Sequence, residues 1–278
     1  MPEPRLEGAV GGLGAVWTSL VALGESLDDA EFDAGTECPG WTVRDQFSHV
    51  IGTELLLDGA GAPAPLDAYG AHVRNGLGEL NERFVAARRH LRGRDVVAEL
   101  TELVVARLAS LRVLDAEADG ARSASPLELV PYVDYVSART VDAFVHEQDV
   151  RRATGRPGGR GGHAERATLD RMEASLPYVL GRRVEAPRGT TLRVDVAGEL
   201  GRTVQLVVAA DDDGAPEALA ISVIEGRPTA ALRMDEETFV RRACGRISAA
   251  AARKAPHTEA AGDLDLASAF LECMVVTA

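Results

Sequence analysis

Cysteine is scarce in this chain of 278 residues. Cys38, Cys244 and Cys273 form an odd, scattered set without a CxxC pair. Such usage argues against a disulfide scaffold and fits a reducing, cytoplasmic setting. Lysine is scarcer still. Lys254 is the only one among 30 basic residues, a bias of codon usage rather than of chemistry. Positive charge is also short overall, because 43 acids leave a formal charge of −13 and a pI near 5.0. A phosphate backbone or an anionic lipid surface would be repelled by that balance, so neither nucleic acid nor membrane is an expected partner. No apolar run approaches the roughly 18 residues of a spanning helix. The opening "MPEPRLEGAV" has neither the basic start nor the apolar core of a signal peptide. Internal repeats are missing, and the one biased stretch is "GRPGGRGGHA" at 155–164.

What is present is ordinary globular material. The hydrophobic share of 46% suffices for real cores, and the length suggests two domains. The first half reads as helical. Residues 5–27 show no strand-like alternation, and "TECPGW" breaks the chain with turn residues. Thr42 with Asp45 three places on resembles a capping box, and Val43, Phe47, Val50 and Ile51 follow at helical spacing. Residues 76–115 predict one long helix or two consecutive ones. A last helical stretch is expected over 127–153, after Ser125 and Pro126. Helices with short joins argue for a four-helix, up-and-down bundle over 1–156.

Residues 157–164 read as a linker. The texture then changes to α+β over 165–278. After a helix near 165–180, "TTLRVDVAG" alternates Leu192, Val194 and Val196 with Arg193 and Asp195, the period of a strand. "RTVQLVVAADDDG", "EALAISVIEG" and "PTAALRM" repeat the rhythm. "DEETFVRRACG" predicts a helix with Asp235 as N-cap and Gly245 ending it. One more helix is expected near 264–274.

The chemistry-bearing residues sit on a polar stripe. On the 127–153 helix, Tyr135, Arg139, Asp142, His146, Asp149 and Ala153 share one face, between shoulders of Val136, Val141, Ala143, Phe144 and Val145. Taken alone, D-x-x-x-H more often describes a solvated Asp–His pair, worth a few tenths of a kcal/mol. His49, at the rim of the apolar face of the second helix, changes that balance. Two bundle helices can aim such side chains at one point, and two imidazoles with one carboxylate are the ligand set of many open zinc sites. His72, His90, His163 and His257 lie on expected loops or polar faces. Cys38, just before a Pro–Gly turn, reads as a small packed side chain.

"ECPGWTVRDQFSHVIGTE" and "DAFVHEQDVRRATGRPGG", in that order, resemble the mycothiol-dependent maleylpyruvate isomerase family of actinobacteria, within the DinB-like (YfiT-like) metalloenzymes. "PTAALRMDEETFVRRACGR" and "GDLDLASAFLECM" are similar to that family's sterol-carrier-like C-terminal domain. The resemblance implies a divalent metal on His49, Asp142 and His146, with zinc as the first expectation and nickel or iron(II) as others. It implies mycothiol as a thiol cosubstrate and a small, anionic electrophile as its target. The family's isomerase carries glutamate where this chain has Asp142, one methylene shorter, which draws the carboxylate back by about 1.5 Å. Arg246 matches a Gly–Arg pair whose arginine would hold a substrate carboxylate; a surface arginine favoured at a helix C-terminus explains it equally. Arg139 is the other candidate for that role. The expected activity is addition of a metal-activated thiolate, as isomerase or S-transferase. The alternatives are a hydrolase using activated water and a non-catalytic binder of a small apolar ligand. Monomer and homodimer both stay open.

Overall fold

The computed structural model describes residues 5–117, 122–124, 129–211 and 215–277. The chain divides into two compact units, 1–167 and 168–278.

The first unit is helical. Helix α1 is Arg5–Glu25, α2 Val43–Leu57, α3 Gly76–Ala86, α4 Gly93–Glu117 and α5 Tyr132–Ala153. A short hairpin of β1 (Arg122–Ala124) and β2 (Leu129–Pro131) precedes α5. Helix α1 packs on α4 and α5, and α2 packs on the same two, closing a ring of four. Each contributes large apolar side chains to one core: Trp17 and Leu20 from α1, Phe47 and Ile51 from α2, Leu100 and Leu111 from α4, Val136 and Phe144 from α5. Helix α2 starts where expected. Thr42 Oγ1 accepts from Asp45 N and Asp45 Oδ2 accepts from Thr42 N, a complete capping box worth about 1 kcal/mol. The 76–115 region is two helices, separated by residues 87–92. Ser125 and Pro126, the expected helix start, lie outside the described residues; the observed helix begins at Tyr132, after a strand.

The second unit is a mixed sheet with helices. Helix α6 (His163–Tyr178) spans the division, and a π-helical turn, Val179–Arg183, follows it. Strands β3 (Thr191–Ala197), β4 (Arg202–Ala210), β5 (Pro216–Ile221), β6 (Ala230–Asp235) and β7 (Glu259–Gly262) line up in the order β5-β4-β3-β6-β7. Among the described residues only the β3–β6 pairing is parallel. The alternation of β3 is real: Leu192, Val194 and Val196 are buried opposite Leu206 and Val204 of β4 and Leu232 of β6. Helices α7 (Glu236–Ala243), α8 (Ala249–Lys254) and α9 (Leu264–Cys273) complete the unit, with Phe239 and Phe270 buried. Asp235 caps α7 by accepting from Thr238 N at 2.7 Å, and Gly245 takes a positive φ just beyond its end. Helix α8 and strand β7 have no counterpart in the sequence reading. One is six residues long; the other is wholly exposed, with no alternation to detect.

Candidate metal centre

The polar stripe of α5 faces inward. Arg139, His146 and Asp149 are buried, and Asp142 is half-buried. A stripe so polar can be buried only if each charge finds a partner, and the neighbouring elements supply them.

Helix α2 brings His49 opposite the stripe. His49 Nε2 lies 3.3 Å from Asp142 Oδ1, and His146 Nε2 lies 3.6 Å from the same oxygen. Donor atoms of His49, Asp142 and His146 all fall within 4.8 Å of one another, the one such group of three among the described residues. Ligands about 2.0–2.1 Å from a tetrahedral ion stand roughly 3.3 Å apart, so the two histidine–aspartate spacings suit a zinc-like cation. The donor set fits equally: two imidazoles and a carboxylate, with Asp142 the more exposed of the three, so that access comes from its side.

Two sets of contacts hold these ligands. Arg139 Nη1 donates to Asp142 Oδ2 at 3.1 Å while its Nε donates to Glu54 Oε1 at 2.9 Å. Glu54, on α2, also accepts from Arg107 Nε at 3.3 Å, and Arg107 pairs with Asp58. A buried chain of alternating charge thus runs from Asp142 across α2 to α4. On the other side, His146 Nδ1 lies 2.5 Å from Gln46 Oε1, and Gln46 Nε2 donates to Thr36 Oγ1 at 2.7 Å.

Trp41 covers the two imidazoles. Its ring centroid is 5.1 Å from that of His49 and 5.9 Å from that of His146. The indole N–H donates to Glu82 Oε2 at 2.9 Å. Glu82 also accepts from Arg89 Nη1 at 2.6 Å and lies 3.2 Å from His72 Nε2. Arg89 Nε reaches back to Asp45 Oδ1 at 3.2 Å, so the capping box of α2 also anchors the aromatic wall.

The charges follow from these contacts. Burial pushes the His49 imidazole below its ordinary range; the Asp142 carboxylate pulls it back up, but His146 and Arg139 add to the depression. Burial alone would raise Asp142, yet His49, Arg139 and His146 together hold its carboxyl well below the usual range. Arg139 loses solvent too, but Asp142 and Glu54 keep its guanidinium charged beyond its ordinary value.

Of the expected site residues, the structure brings together His49, Asp142, His146 and Arg139. Arg139 does not offer the bidentate fork expected of a substrate clamp, because its Nε and Nη1 are spent on protein carboxylates. Arg246 belongs to the second unit, where its Nη1 donates to Cys244 O at 3.0 Å. Cys38 is half-buried and contributes no donor to the group. The sequence reading singled out none of Trp41, Gln46, Glu54 and Thr36. Gln46 and His49 are three residues apart and share a helix face, which is the signal available for it.

The family described as the mycothiol maleylpyruvate isomerase N-terminal domain matches residues 13–151, half of the chain. A crystal structure of the mycothiol-dependent maleylpyruvate isomerase is similar in fold, with a TM-score of 0.53 and 18% identity over 94% of this chain and 93% of that one. A crystal structure of a histidine-to-alanine mutant of a mycothiol-dependent maleylpyruvate isomerase gives a TM-score of 0.50 and 18% identity over 89% of this chain and 90% of that one. Comparison with curated protein sequences returns no match. A helical unit followed by a small mixed sheet is the architecture these structures share with it, and by the match over its first half the chain belongs to the mycothiol maleylpyruvate isomerase N-terminal domain family.

Proposed function

We propose that this protein is an enzyme that adds a low-molecular-weight thiol, mycothiol in the first instance, to a small anionic electrophile, as an isomerase or an S-transferase. His49, Asp142 and His146 are the proposed ligands of a divalent cation that serves this chemistry. One observation carries the reading: a donor atom of His49 on α2 converges within 4.8 Å with donors of Asp142 and His146 on α5, at least 93 positions further along the chain. A divalent ion held there, zinc first by donor type with nickel and iron(II) also suited, would favour thiolate over thiol near neutral pH.

The protein's own groups prepare the site. Asp142 stays ionised because Arg139 and the imidazoles surround it. His49 stays neutral through burial, leaving a lone pair for coordination. Trp41 shields both rings on one side. Arg139 acts by holding Asp142. Sulfur adding to one carbon of a conjugated double bond leaves a single bond free to rotate. Expelling the sulfur then returns the thiol and the isomerised product, whereas protonating the adduct yields a stable thioether. Maleylpyruvate, named for both structural relatives, is the first substrate to try. The three free cysteines agree with a reducing compartment in which a small thiol persists.

The test is elemental analysis of protein purified without chelators, with His146→Ala beside it, followed by maleylpyruvate turnover with and without mycothiol. Bound metal in the wild type, its loss in the variant and thiol-dependent turnover are expected. Metal-loaded protein that binds no thiol by calorimetry overturns the reading.

A further inference from the structure

The hydrogen-bond chain behind His146 has a direction. Thr36 Oγ1 owns a single proton, and it lies 2.9 Å from Trp41 O and 3.4 Å from Cys38 O, carbonyls that can only accept. The same oxygen accepts from Cys38 N at 3.2 Å. With its proton committed to a carbonyl, Oγ1 can face Gln46 only as an acceptor. That orients the Gln46 amide: Nε2 turns to Thr36, and Oε1 turns to His146 Nδ1. An amide oxygen donates nothing, so the imidazole must carry its proton on Nδ1. Neutral His146 then presents a bare lone pair on Nε2, the nitrogen facing Asp142. Asp149 Oδ2, 3.8 Å from Nδ1, favours the same proton position but stands beyond hydrogen-bond reach. Its other oxygen accepts from Arg152 Nη2 at 2.7 Å.

We propose that Gln46, oriented by Thr36, is a positioning residue that locks His146 in its Nδ1–H tautomer and so holds Nε2 ready to ligate a cation. The inference rests on the reading of His49, Asp142 and His146 as a cation site, and extends it to two residues outside the ligand set. Gln46 is fully buried on α2, so its amide has no water to turn to. Loss of a partner that orients a ligating histidine typically costs 10–100-fold in metal affinity.

The experiment reads the tautomer directly. Metal-free protein with ¹⁵N-labelled histidine is observed by long-range ¹H–¹⁵N correlation, at a pH where the ring is neutral, and His146 is assigned by its absence from His146→Ala. A protonated Nδ1 and a bare Nε2 are expected in the wild type. Zn²⁺ affinity is measured in parallel by chelator competition. Gln46→Leu is expected to mix the tautomers and weaken zinc binding by about 10–100-fold. Thr36→Val, which leaves the amide free to turn, is expected to fall between. Gln46→Glu, whose carboxylate accepts from Nδ1, is expected to restore the wild-type tautomer and affinity, which separates positioning from mere packing. A wild-type ring protonated on Nε2 overturns the proposal, as does a Gln46→Leu protein with unchanged tautomer and unchanged affinity. If the tautomer and its response to Gln46→Leu are as expected but no zinc binds, the cation reading fails and the role of Gln46 in setting the ring stands.

Discussion

The imidazoles of His49 and His146 lie 4.4 Å apart, centroid to centroid, and are tilted by 58°. Both are buried, one from α2 and one from α5, and a nitrogen of each lies within 3.6 Å of Asp142 Oδ1. Two rings so placed share one carboxylate and repel each other when both are charged. Burial favours the neutral form of His49 while Asp142 is held ionised, the states a divalent cation requires of those two ligands.

Stability without metal should accordingly fall in mild acid. The folded-state pKa of His49 is depressed by burial, so the unfolded chain, whose imidazole titrates near 6.5, binds that proton more readily. Where the unfolded state binds more protons, stability rises with pH. Urea midpoints of chelated protein should thus hold steady above about pH 7 and decline as pH drops below about 6.5. The slope should flatten in His49→Ala. Asp142, depressed in the folded state, contributes stability that is lost only at lower pH, below the ordinary carboxylate range. A midpoint indifferent to pH between 7.5 and about 5 would contradict this account of His49.

Arg139 should matter more for folding than its place beside the candidate site suggests. It is buried with Glu54 and Asp142 as partners, and Glu54 is almost wholly buried itself. Removing one member of a buried pair strands the other, at a cost of about 3–5 kcal/mol. Arg139→Leu should therefore lower the urea midpoint strongly. Arg139→Lys should recover only part of that loss, since an ammonium cannot span both carboxylates as the fork does.

Much of this was legible beforehand. The capping box of α2, the helical spacing of its apolar residues and the four-residue step from Asp142 to His146 are local patterns, and local patterns survive folding. The inward turn of the α5 stripe was harder to read. Its polarity argues for solvent, and partners such as His49, Glu54, Gln46 and Arg152, drawn from other turns and another helix, make burial tolerable. Trp41 escaped notice because its ring acts across space on His49 and His146, while its anchor, Glu82, lies 41 positions away. Between one helix and two over 76–115 the sequence left the choice open, because no Pro or paired Gly marks the break at residues 87–92 between α3 and α4. Strand β7 pairs with β6 through its backbone while every side chain stays exposed, so burial left no trace in its composition.

Gly52, one turn beyond His49, permits the close approach of α2 and α3. A Cβ built there would overlap the Cβ and ring of Phe84. Overpacking of this kind typically costs about 1–3 kcal/mol, and the better helix propensity of alanine returns at most about 1. Gly52→Ala should therefore be destabilising on balance in urea titration. A stabilised single variant would show that α3 yields without cost.

Asp142→Glu is the most informative ligand substitution. The shorter acid already places one oxygen 3.3 Å and 3.6 Å from the two histidine nitrogens, spacings a tetrahedral ion would accept with little movement. Its second oxygen is held by Arg139, whose own position is fixed by Glu54. A longer side chain must either push past the histidine nitrogens or give up Arg139. Zinc affinity should then fall, by about the 10–100-fold that follows loss of an orienting partner. Asp142→Asn, which keeps the shape but removes the charge that Arg139 pairs with, should fall further. Chelator competition on both variants gives the answer. Tighter binding by the glutamate variant would mean that α2 and α5 stand too far apart for aspartate, and that the present carboxylate position is not the one a cation selects.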